Sequence, residues 1–226
     1  MQIHEYSRKY DAFAFEEQRL EIPFRRRFIL KAAGKGHRVL DVGCNSGKLA
    51  ALIAEQNNEV WGLEINTSAA EKAAERGVRV KVANAEDGLP FESGFFDVVH
   101  AGSMFEHLYD TEFFAEEILR VLKPGGSLIL SFSNLNSLDN RIQVLKGGYI
   151  SGLGAYPHDQ HGDRLRVFNL TKLRELLERA GFEWVEARGV PEESKKNPFL
   201  NTAFLMAGKI LPQINEVILV KARKSE

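Results

Sequence analysis

The chain has 226 residues, of which 44% are hydrophobic and 27% charged, and these values are ordinary for a globular α/β protein built on one sheet. Its formal net charge of -1 argues against a general nucleic-acid binder, which usually displays a basic excess. A single cysteine, Cys44, excludes an internal disulfide framework and a zinc site with several thiolate ligands.

We expect neither a targeting segment nor a membrane span. The residues Met1–Tyr6 lack the basic start and apolar core of a signal peptide. No stretch approaches the roughly 18 apolar residues that a spanning helix needs. The sequence therefore predicts a cytoplasmic protein. The short basic run Arg25–Arg27 is predicted to form a solvated helix face.

From Arg38 onward, segments with the hydrophobic pattern of strands alternate with segments that have the hydrophobic pattern of helices. Short apolar runs bounded by Gly, Asn or Asp predict buried strands, and the first five are Arg38–Val42, Val60–Leu63, Val78–Val82, Phe96–Ala101 and Ser127–Phe132. Helical patterns lie between them, and the Pro-Gly-Gly at 124–126 is expected to stop the helix before the fifth strand. This repeated order predicts an α/β fold with a doubly wound, mostly parallel sheet.

The second half of the chain adds a helix and two strands. A leucine-rich stripe predicts the helix at 170–180, and strands are predicted at Phe182–Ala187 and Val217–Ala222. Residues 1–33 are predicted to be helical and to lie outside the sheet. The sequence thus predicts a single domain, 1–226.

Two long segments, 133–169 and 190–214, are predicted to be irregular insertions. Long loops in compact domains are usually functional or disordered. Because the first insertion leaves the fifth strand at its carboxyl end, we expect it to form part of a ligand site. The second carries apolar residues at helical spacing between Leu200 and Leu211. We expect them to pack on the domain or on a second subunit, and the alternative is that they line a pocket for an apolar acceptor. A homodimer is therefore left open.

The residues Val39–Gly47 predict a strand that runs into a glycine turn and opens a helix. Glycine allows positive φ and close approach of the backbone to a ligand. A dinucleotide fingerprint would need glycine at 43, 45 and 48, but Asn45 and Lys48 occupy two of these positions. The negative charge of Asp41 beside the turn would repel a pyrophosphate. The same charge would attract the ammonium and sulfonium groups of S-adenosylmethionine.

Two further polar residues follow at the ends of the next strands. Glu64 lies 23 residues after Asp41, near the spacing that places an acid against the hydroxyls of a ribose. Taken alone, Glu64 is as well explained as a solvated acid or a neighbour of a helix N-cap. Asn84, with nearby backbone, is placed to border an adenine ring. The three polar residues in order favour a nucleoside cofactor.

These residues resemble the motif series of class I S-adenosylmethionine-dependent methyltransferases. The similarity is strong from Arg38 to Phe132, and its motifs are Val39–Gly47, Glu64, Asn84–Phe91, Phe96–Val99 and Arg120–Gly126. The resemblance implies a Rossmann-like, seven-stranded sheet whose last strand, Val217–Ala222, is antiparallel.

The resemblance also implies a cofactor site for S-adenosylmethionine. Its residues are Asp41, Gly43 and Gly47 toward the methionine part, Glu64 toward the ribose, Asn84 and Ala85 toward the adenine, with Asn45 and Ser103 beside them. Asn45 departs from the family's usual glycine, but Asn tolerates left-handed backbone geometry. Asn84 departs from the usual aspartate, but its amide both donates and accepts hydrogen bonds.

Three less specific motifs resemble those of the small-molecule branch of the family, which includes ubiquinone-biosynthesis-type methyltransferases. They are Phe105–Leu108, Ser133–Leu138 and Arg164–Thr171. This similarity implies a small organic methyl acceptor, on the side of the site that the two insertions cover.

Methyl transfer from a sulfonium depends mainly on alignment, and a base near neutral pKa helps an acceptor that must lose a proton. His107, His158 and His161 are the candidate bases, each weighed against a surface or structural role. The motif His158–Asp163 is predicted to be solvated rather than a metal site. Cys44 is predicted to be a packing residue.

Two other functions are compatible with such a sheet. An NAD(P)-dependent oxidoreductase is disfavoured by the missing glycines at 45 and 48. A non-catalytic protein that only binds S-adenosylmethionine would share most of the same residues, so fold and motifs do not separate it from an enzyme.

Overall fold

A computed structural model of the chain describes residues 23–150, 165–191 and 204–226. In these ranges the helices are α1 (Pro23–Ala33), α2 (Lys48–Ala54), α3 (Thr67–Glu75), α4 (Thr111–Val121), α5 (Leu138–Leu145) and α6 (Leu170–Arg179). The strands are β1 (Arg38–Val42), β2 (Glu59–Glu64), β3 (Arg79–Val82), β4 (Phe96–Gly102), β5 (Leu122–Ser133), β6 (Phe182–Val190) and β7 (Val217–Lys224).

The strands form a seven-stranded sheet in the order β3-β2-β1-β4-β5-β7-β6. Strands β1 to β5 pair in parallel, and β7 is antiparallel to both β5 and β6, between which it lies. The predicted doubly wound, mostly parallel sheet with an antiparallel last strand is confirmed. The strand order reverses between β1 and β4, and the crevice at the carboxyl ends of these strands is where such sheets bind ligands.

Helices cover both faces of the sheet. On one face, α1, α2 and α3 pack through Ile29, Ile53 and Ala73 against strand residues such as Val39 and Val98. The opposite face is larger, and its buried residues on α4 and α6 are Phe114, Ala115, Ile118, Val121, Leu173, Leu176 and Leu177. The two layers fix the sheet, so the loops at its carboxyl edge start from rigid positions.

Polar side chains start most of these helices. Asn66, Asp110, Ser137 and Asn169 each accept a hydrogen bond from a backbone N–H in the first turn of α3, α4, α5 and α6. Each such cap stabilises a helix by about 1 kcal/mol.

The fifth strand is longer than predicted. Strand β5 begins at Leu122, directly after α4 ends at Val121, so the Pro-Gly-Gly at 124–126 lies inside the strand and does not stop the helix. The pairing with β4 is irregular there, since its register shifts between Phe96 and Val98. The third strand also differs, because β3 is at the sheet edge and is mostly exposed, not buried.

The two insertions contain regular structure where they are described. The prediction that 133–169 is irregular is wrong for Leu138–Leu145, which forms α5. In the second insertion residues 204–207 are helical, and Ile210 and Leu211 after them are exposed. In the described part of the chain, no helix is long and apolar enough to cross a membrane.

Candidate active site

The turn after β1 has the backbone that its glycines predicted. Gly43 has a φ of 70° and Gly47 a φ of 74°, both in the left-handed region. Asn45 between them has a φ of 47°, so it takes the left-handed conformation that asparagine tolerates. We call residues 43–47 the glycine turn.

The two glycines are required by protein packing as well as by φ. A Cβ added at Gly47 would lie 2.7 Å from the Cβ of Ala73 on α3. One added at Gly43 would lie 2.5 Å from Met104 Sδ, in the loop after β4. At both glycines the backbone therefore lies close to other parts of the protein. The turn is packed between α3 and the loop after β4.

Glu64 ends β2 and is tied to the glycine turn. Its Oε2 accepts a hydrogen bond of 2.8 Å from the backbone N–H of Asn45, and its Oε1 one of 2.9 Å from that of Asn66. The side chain is buried, which excludes the solvated-acid interpretation. Burial raises the pKa of Glu64, against the lowering effect of the backbone donors, and the nearby charge of Asp41 raises it further.

The adenine candidates lie at the end of the neighbouring strand β3. Asn84 caps the short 3-10 turn Ala85–Asp87, with its Oδ1 accepting from the Glu86 N–H at 3.1 Å. Ala85 is buried. The N–H of Ala83 donates to the Glu64 carbonyl at 3.1 Å, so this segment runs directly beside the end of β2.

Asp41 is paired with a histidine that the sequence analysis did not single out. Asp41 on β1 and His100 on β4 are in-register neighbours, and Asp41 Oδ1 lies 2.6 Å from His100 Nδ1. The two residues are 3% and 4% exposed, so the pair is shielded from water. A polar residue within the apolar run of β4 was the available signal, because buried polar groups require partners.

Arg25 corrects the prediction of a solvated Arg25–Arg27 face. Its guanidinium is partly buried, and Nη2 donates to Ser131 Oγ on β5 at 2.7 Å and to Ser103 Oγ at 3.4 Å. Helix α1 packs on the sheet next to the carboxyl ends of β4 and β5, which brings this positive charge to the crevice. The docking of α1 is a tertiary contact, so the basic run alone did not reveal it.

Ser103 lies directly after β4, in a left-handed conformation. Its φ is 53°, and its N–H donates to the Ser131 carbonyl at 2.8 Å. Non-glycine residues in this region are uncommon and concentrate at functional sites. Ser103 is thus held at the edge of the crevice by β5.

The segment after Ser103 contains a buried glutamate beside the candidate base His107. Glu106 is 1% exposed, its Oε1 accepts from the Ser133 N–H at 2.9 Å, and its carbonyl accepts from the N–H groups of Leu165 and Arg166. Glu106 therefore joins the ends of β4 and β5 to the segment before α6. His107 is half-buried in the turn Phe105–His107, which follows β4.

The structure does not describe the other two predicted bases. His158 and His161, with the whole His158–Asp163 motif, lie outside the described residues. Among the residues that the structure describes, no group of three His, Cys, Asp or Glu side chains could hold a metal ion.

Cys44 is a packing residue within the glycine turn. It is buried, and a Cβ added at Gly62 on β2 would lie 2.6 Å from its Sγ. Burial raises the pKa of the Cys44 thiol, and the charges of Asp41 and Glu64 add to the rise. The thiol therefore stays protonated near neutral pH and is no nucleophile.

The structure thus brings the predicted cofactor residues on β1, β2 and β3 to one edge of the sheet, around the glycine turn. A family model described as a methyltransferase domain matches residues 10–187. The chain belongs to this methyltransferase family.

Curated relatives agree with the assignment. The methyltransferase is 30% identical over 175 residues to a ubiquinone biosynthesis O-methyltransferase of Thiobacillus denitrificans, covering 74% of each chain. It is also 30% identical over 180 residues to a ubiquinone/menaquinone biosynthesis C-methyltransferase of Nitrosospira multiformis, covering 71% of this chain and 74% of the relative. Membership shows that the chain is an S-adenosylmethionine-dependent methyltransferase.

Solved structures show the same fold. A Thermotoga maritima protein described as a possible histamine N-methyltransferase superposes with a TM-score of 0.68 at 20% identity, covering 96% of this chain and 99% of its own. A structure described as a [4+2]-cyclase superposes with a TM-score of 0.63 at 23% identity, covering 88% and 81%. At these identities the similarity concerns the fold alone, and this fold carries more than one chemistry.

Proposed function

We propose that the crevice around the glycine turn binds S-adenosylmethionine and that its methyl group is transferred to a small organic acceptor. The observation that carries this proposal is the convergence of two buried carboxylates, Asp41 and Glu64, on one turn. Among the described residues neither forms an ion pair with a lysine or arginine. Buried carboxylates at a crevice favour a cationic or hydroxyl-rich ligand and disfavour a pyrophosphate.

The residues present fit the parts of the cofactor. Asp41 is placed for the ammonium group, and Glu64 has further lone pairs on its oxygens for the ribose hydroxyls. Arg25, at the ends of β4 and β5, supplies positive charge for the carboxylate. Asn84 and Ala85 border the adenine, and Ser103 closes the edge beside the methionine part.

The bound cofactor supplies a methyl group on a sulfonium, which is already a good leaving group. The chain's task is then to hold the acceptor in line with that methyl, which contributes about 7–11 kcal/mol in favourable cases. Glu106 fixes the end of β4 against β5 and the segment before α6. We propose His107, the next residue, as the base. His158 and His161 stay predicted bases of the same site.

The acceptor side is proposed to lie at the first insertion. Helix α5 follows β5 at its carboxyl end, and Tyr109 and Tyr149 expose aromatic rings in the loop before α4 and in the residues after α5. The curated relatives named above act in ubiquinone biosynthesis, and on that basis we propose a small organic acceptor. We also propose that the protein is cytoplasmic, which cell fractionation tests. We propose that it forms a homodimer, which sedimentation tests.

Product release gives the direct test. The protein is incubated with S-adenosylmethionine and fractions of a small-molecule cell extract, and S-adenosylhomocysteine is measured. An Asp41→Asn variant is the matched control, because it keeps the side-chain volume and removes the charge. We expect release that depends on one extract fraction and is lost in the variant. Cofactor binding with no release from any fraction would favour the non-catalytic binding protein.

A further inference from the structure

Charged side chains hold the segment that follows the adenine candidates. Leu89, Pro90 and Phe91 lie outside the strands and helices, so their carbonyl oxygens need partners other than a regular backbone ladder. Arg120 Nη2 and Nη1 donate to the carbonyls of Leu89 and Phe91, both at 2.8 Å. Lys81 Nζ donates to the carbonyl of Pro90, between them, at 2.6 Å. Three successive carbonyls thus accept hydrogen bonds from two cations.

Leu89 is held through both of its backbone polar groups, because its N–H donates to Glu117 Oε2 at 2.7 Å. Glu117 and Arg120 lie about one turn apart on α4 and are themselves paired. Arg120 Nε lies 2.6 Å from Oε1 of Glu117, and Nη2 lies 2.8 Å from Oε2. The hydrogen bond from Arg120 lowers the pKa of Glu117, so this carboxylate is charged near neutral pH. Two parallel charge-assisted bonds fix the orientation of the pair, which clamps the Leu89 backbone from both sides.

The clamp acts at the exit of the turn Ala85–Asp87. Gly88, the next residue, has a φ of 100°, and a Cβ added there would lie 3.2 Å from Glu117 Oε2. The backbone therefore leaves the turn close to this carboxylate. Before the turn, the N–H of Ala83 donates to the carbonyl of Glu64. The turn is thus fixed on one side by the end of β2 and on the other by α4.

Helix α4 also contacts the turn through its middle residue. Glu86 Oε1 accepts from the N–H of Tyr109 at 2.7 Å, and Tyr109 directly precedes Asp110, the N-cap of α4. Glu86 follows Asn84 and Ala85 in the chain. The backbone that carries both adenine candidates is therefore held by α4 at the middle of the turn and at its exit.

We infer that Glu117 and Arg120 are positioning residues for the adenine end of S-adenosylmethionine, an inference that rests on the proposed function. They act through the Leu89 backbone and hold the turn, so that Asn84 and Ala85 present their hydrogen-bonding groups at fixed positions. Groups fixed in this way distinguish adenine from a purine with a different edge. The alternative is an ion pair that only stabilises the loop against α4, and it predicts no effect on the choice of base.

Two ligands that differ only in the base separate these roles. S-adenosylhomocysteine carries adenine, whereas S-inosylhomocysteine carries hypoxanthine, which has an oxygen in place of the amino group. We expect the wild-type protein to prefer the adenine ligand, as measured by calorimetry. Glu117→Ala should reduce this preference roughly fivefold or more, which corresponds to about one hydrogen bond. Glu175→Ala is the control, because it removes an ion pair of the same spacing on α6, with Lys172, and it should leave the preference unchanged.

A conservative variant tests the clamp itself. Glu117→Gln keeps an oxygen for the N–H of Leu89 but loses the charge that pairs with Arg120, so its preference should lie between those of wild type and Glu117→Ala. Thermal unfolding checks that each variant is folded, and Glu117→Gln carries the test if Glu117→Ala is not. A wild-type preference in Glu117→Gln, or in folded Glu117→Ala, would overturn the inference and leave the pair a structural role. Equal affinities of the wild-type protein for the two ligands would overturn it as well. A wild-type protein that binds neither ligand would instead overturn the proposed function.

Discussion

The backbone N–H of Asn45 donates a 2.8 Å hydrogen bond to Glu64 Oε2, and this bond ties the glycine turn to the end of β2. The second oxygen of Glu64 accepts from the N–H of Asn66, the N-cap of α3. One carboxylate therefore organises both the turn and the start of the following helix. The same carboxylate is the proposed anchor for the ribose, so the cofactor and the turn depend on one side chain.

Replacement of Glu64 tests that anchor. Glu64→Ala removes charge-assisted hydrogen bonds worth about 1.5–3 kcal/mol, so the dissociation constant of S-adenosylhomocysteine should rise by roughly one to two orders of magnitude. Glu64→Gln keeps one acceptor oxygen and should lose less. The control is Glu59→Ala at the opposite end of β2, where the side chain pairs with Arg38 and Arg79. Unchanged affinity in Glu64→Ala would place the ribose elsewhere.

The pH dependence of binding should reveal the burial of Glu64. Burial raises the pKa of this carboxyl above the ordinary range of a glutamate. Protonation removes the negative charge that accepts from the ribose, so affinity is full above the raised pKa and falls as pH drops through it. Below it, the dissociation constant rises by up to about tenfold per pH unit. Calorimetry across acidic pH measures this, and the step should be absent in Glu64→Gln.

The glycine turn was predictable because its signals are local. Positive φ at Gly43, Asn45 and Gly47 follows from the residue types themselves, and acids at strand ends follow from the alternation of strands and helices. The packing role of Gly47 against Ala73 was not predictable, since it depends on where α3 docks.

The packing role of Gly47 can be separated from its backbone strain. Gly36 and Gly47 have φ of 73° and 74°, but a Cβ at Gly36 would meet nothing within 4 Å. Gly36→Ala should therefore lose only about 1–2 kcal/mol of unfolding free energy, from the left-handed backbone. Gly47→Ala should lose about 1–3 kcal/mol more, because its Cβ would clash with Ala73. Urea unfolding measures both, and equal losses would contradict the packing role.

Other features depended on long-range contacts. His100 was visible as a polar residue in an apolar strand, but its partner Asp41 is set by the register of β1 and β4. The solvated face predicted for Arg25–Arg27 was wrong for Arg25, because α1 packs against the sheet and turns that side chain toward Ser131. The start of β5 at Leu122 was missed because the glycines at 125 and 126 were expected to lie before the strand. Leu122 pairs with Phe96 and Ser127 pairs with Val98, so the residues between Leu122 and Ser127 form an irregular part of the same strand.

Arg25 provides a test of the carboxylate subsite. Arg25→Gln removes a positive charge beside Ser131, and it should weaken S-adenosylhomocysteine binding by roughly tenfold, in line with one hydrogen bond between charged groups. Arg27→Gln, two residues along the same helix, is exposed and should leave the affinity unchanged. Thermal unfolding of both variants controls for loss of the α1 contact. Equal affinities in the two variants would assign the cofactor carboxylate to another residue.

Calorimetric titration of the folded wild-type protein with S-adenosylhomocysteine, and in parallel with NADH, tests the central claim most directly. We predict saturable binding of one S-adenosylhomocysteine per chain, lost or strongly weakened in Asp41→Asn, and no binding of NADH. At a ligand concentration 100 times the dissociation constant, this binding should add about 2.7 kcal/mol to the free energy of unfolding. Absence of S-adenosylhomocysteine binding at millimolar ligand, or saturable binding of NADH in its place, would contradict the site as described.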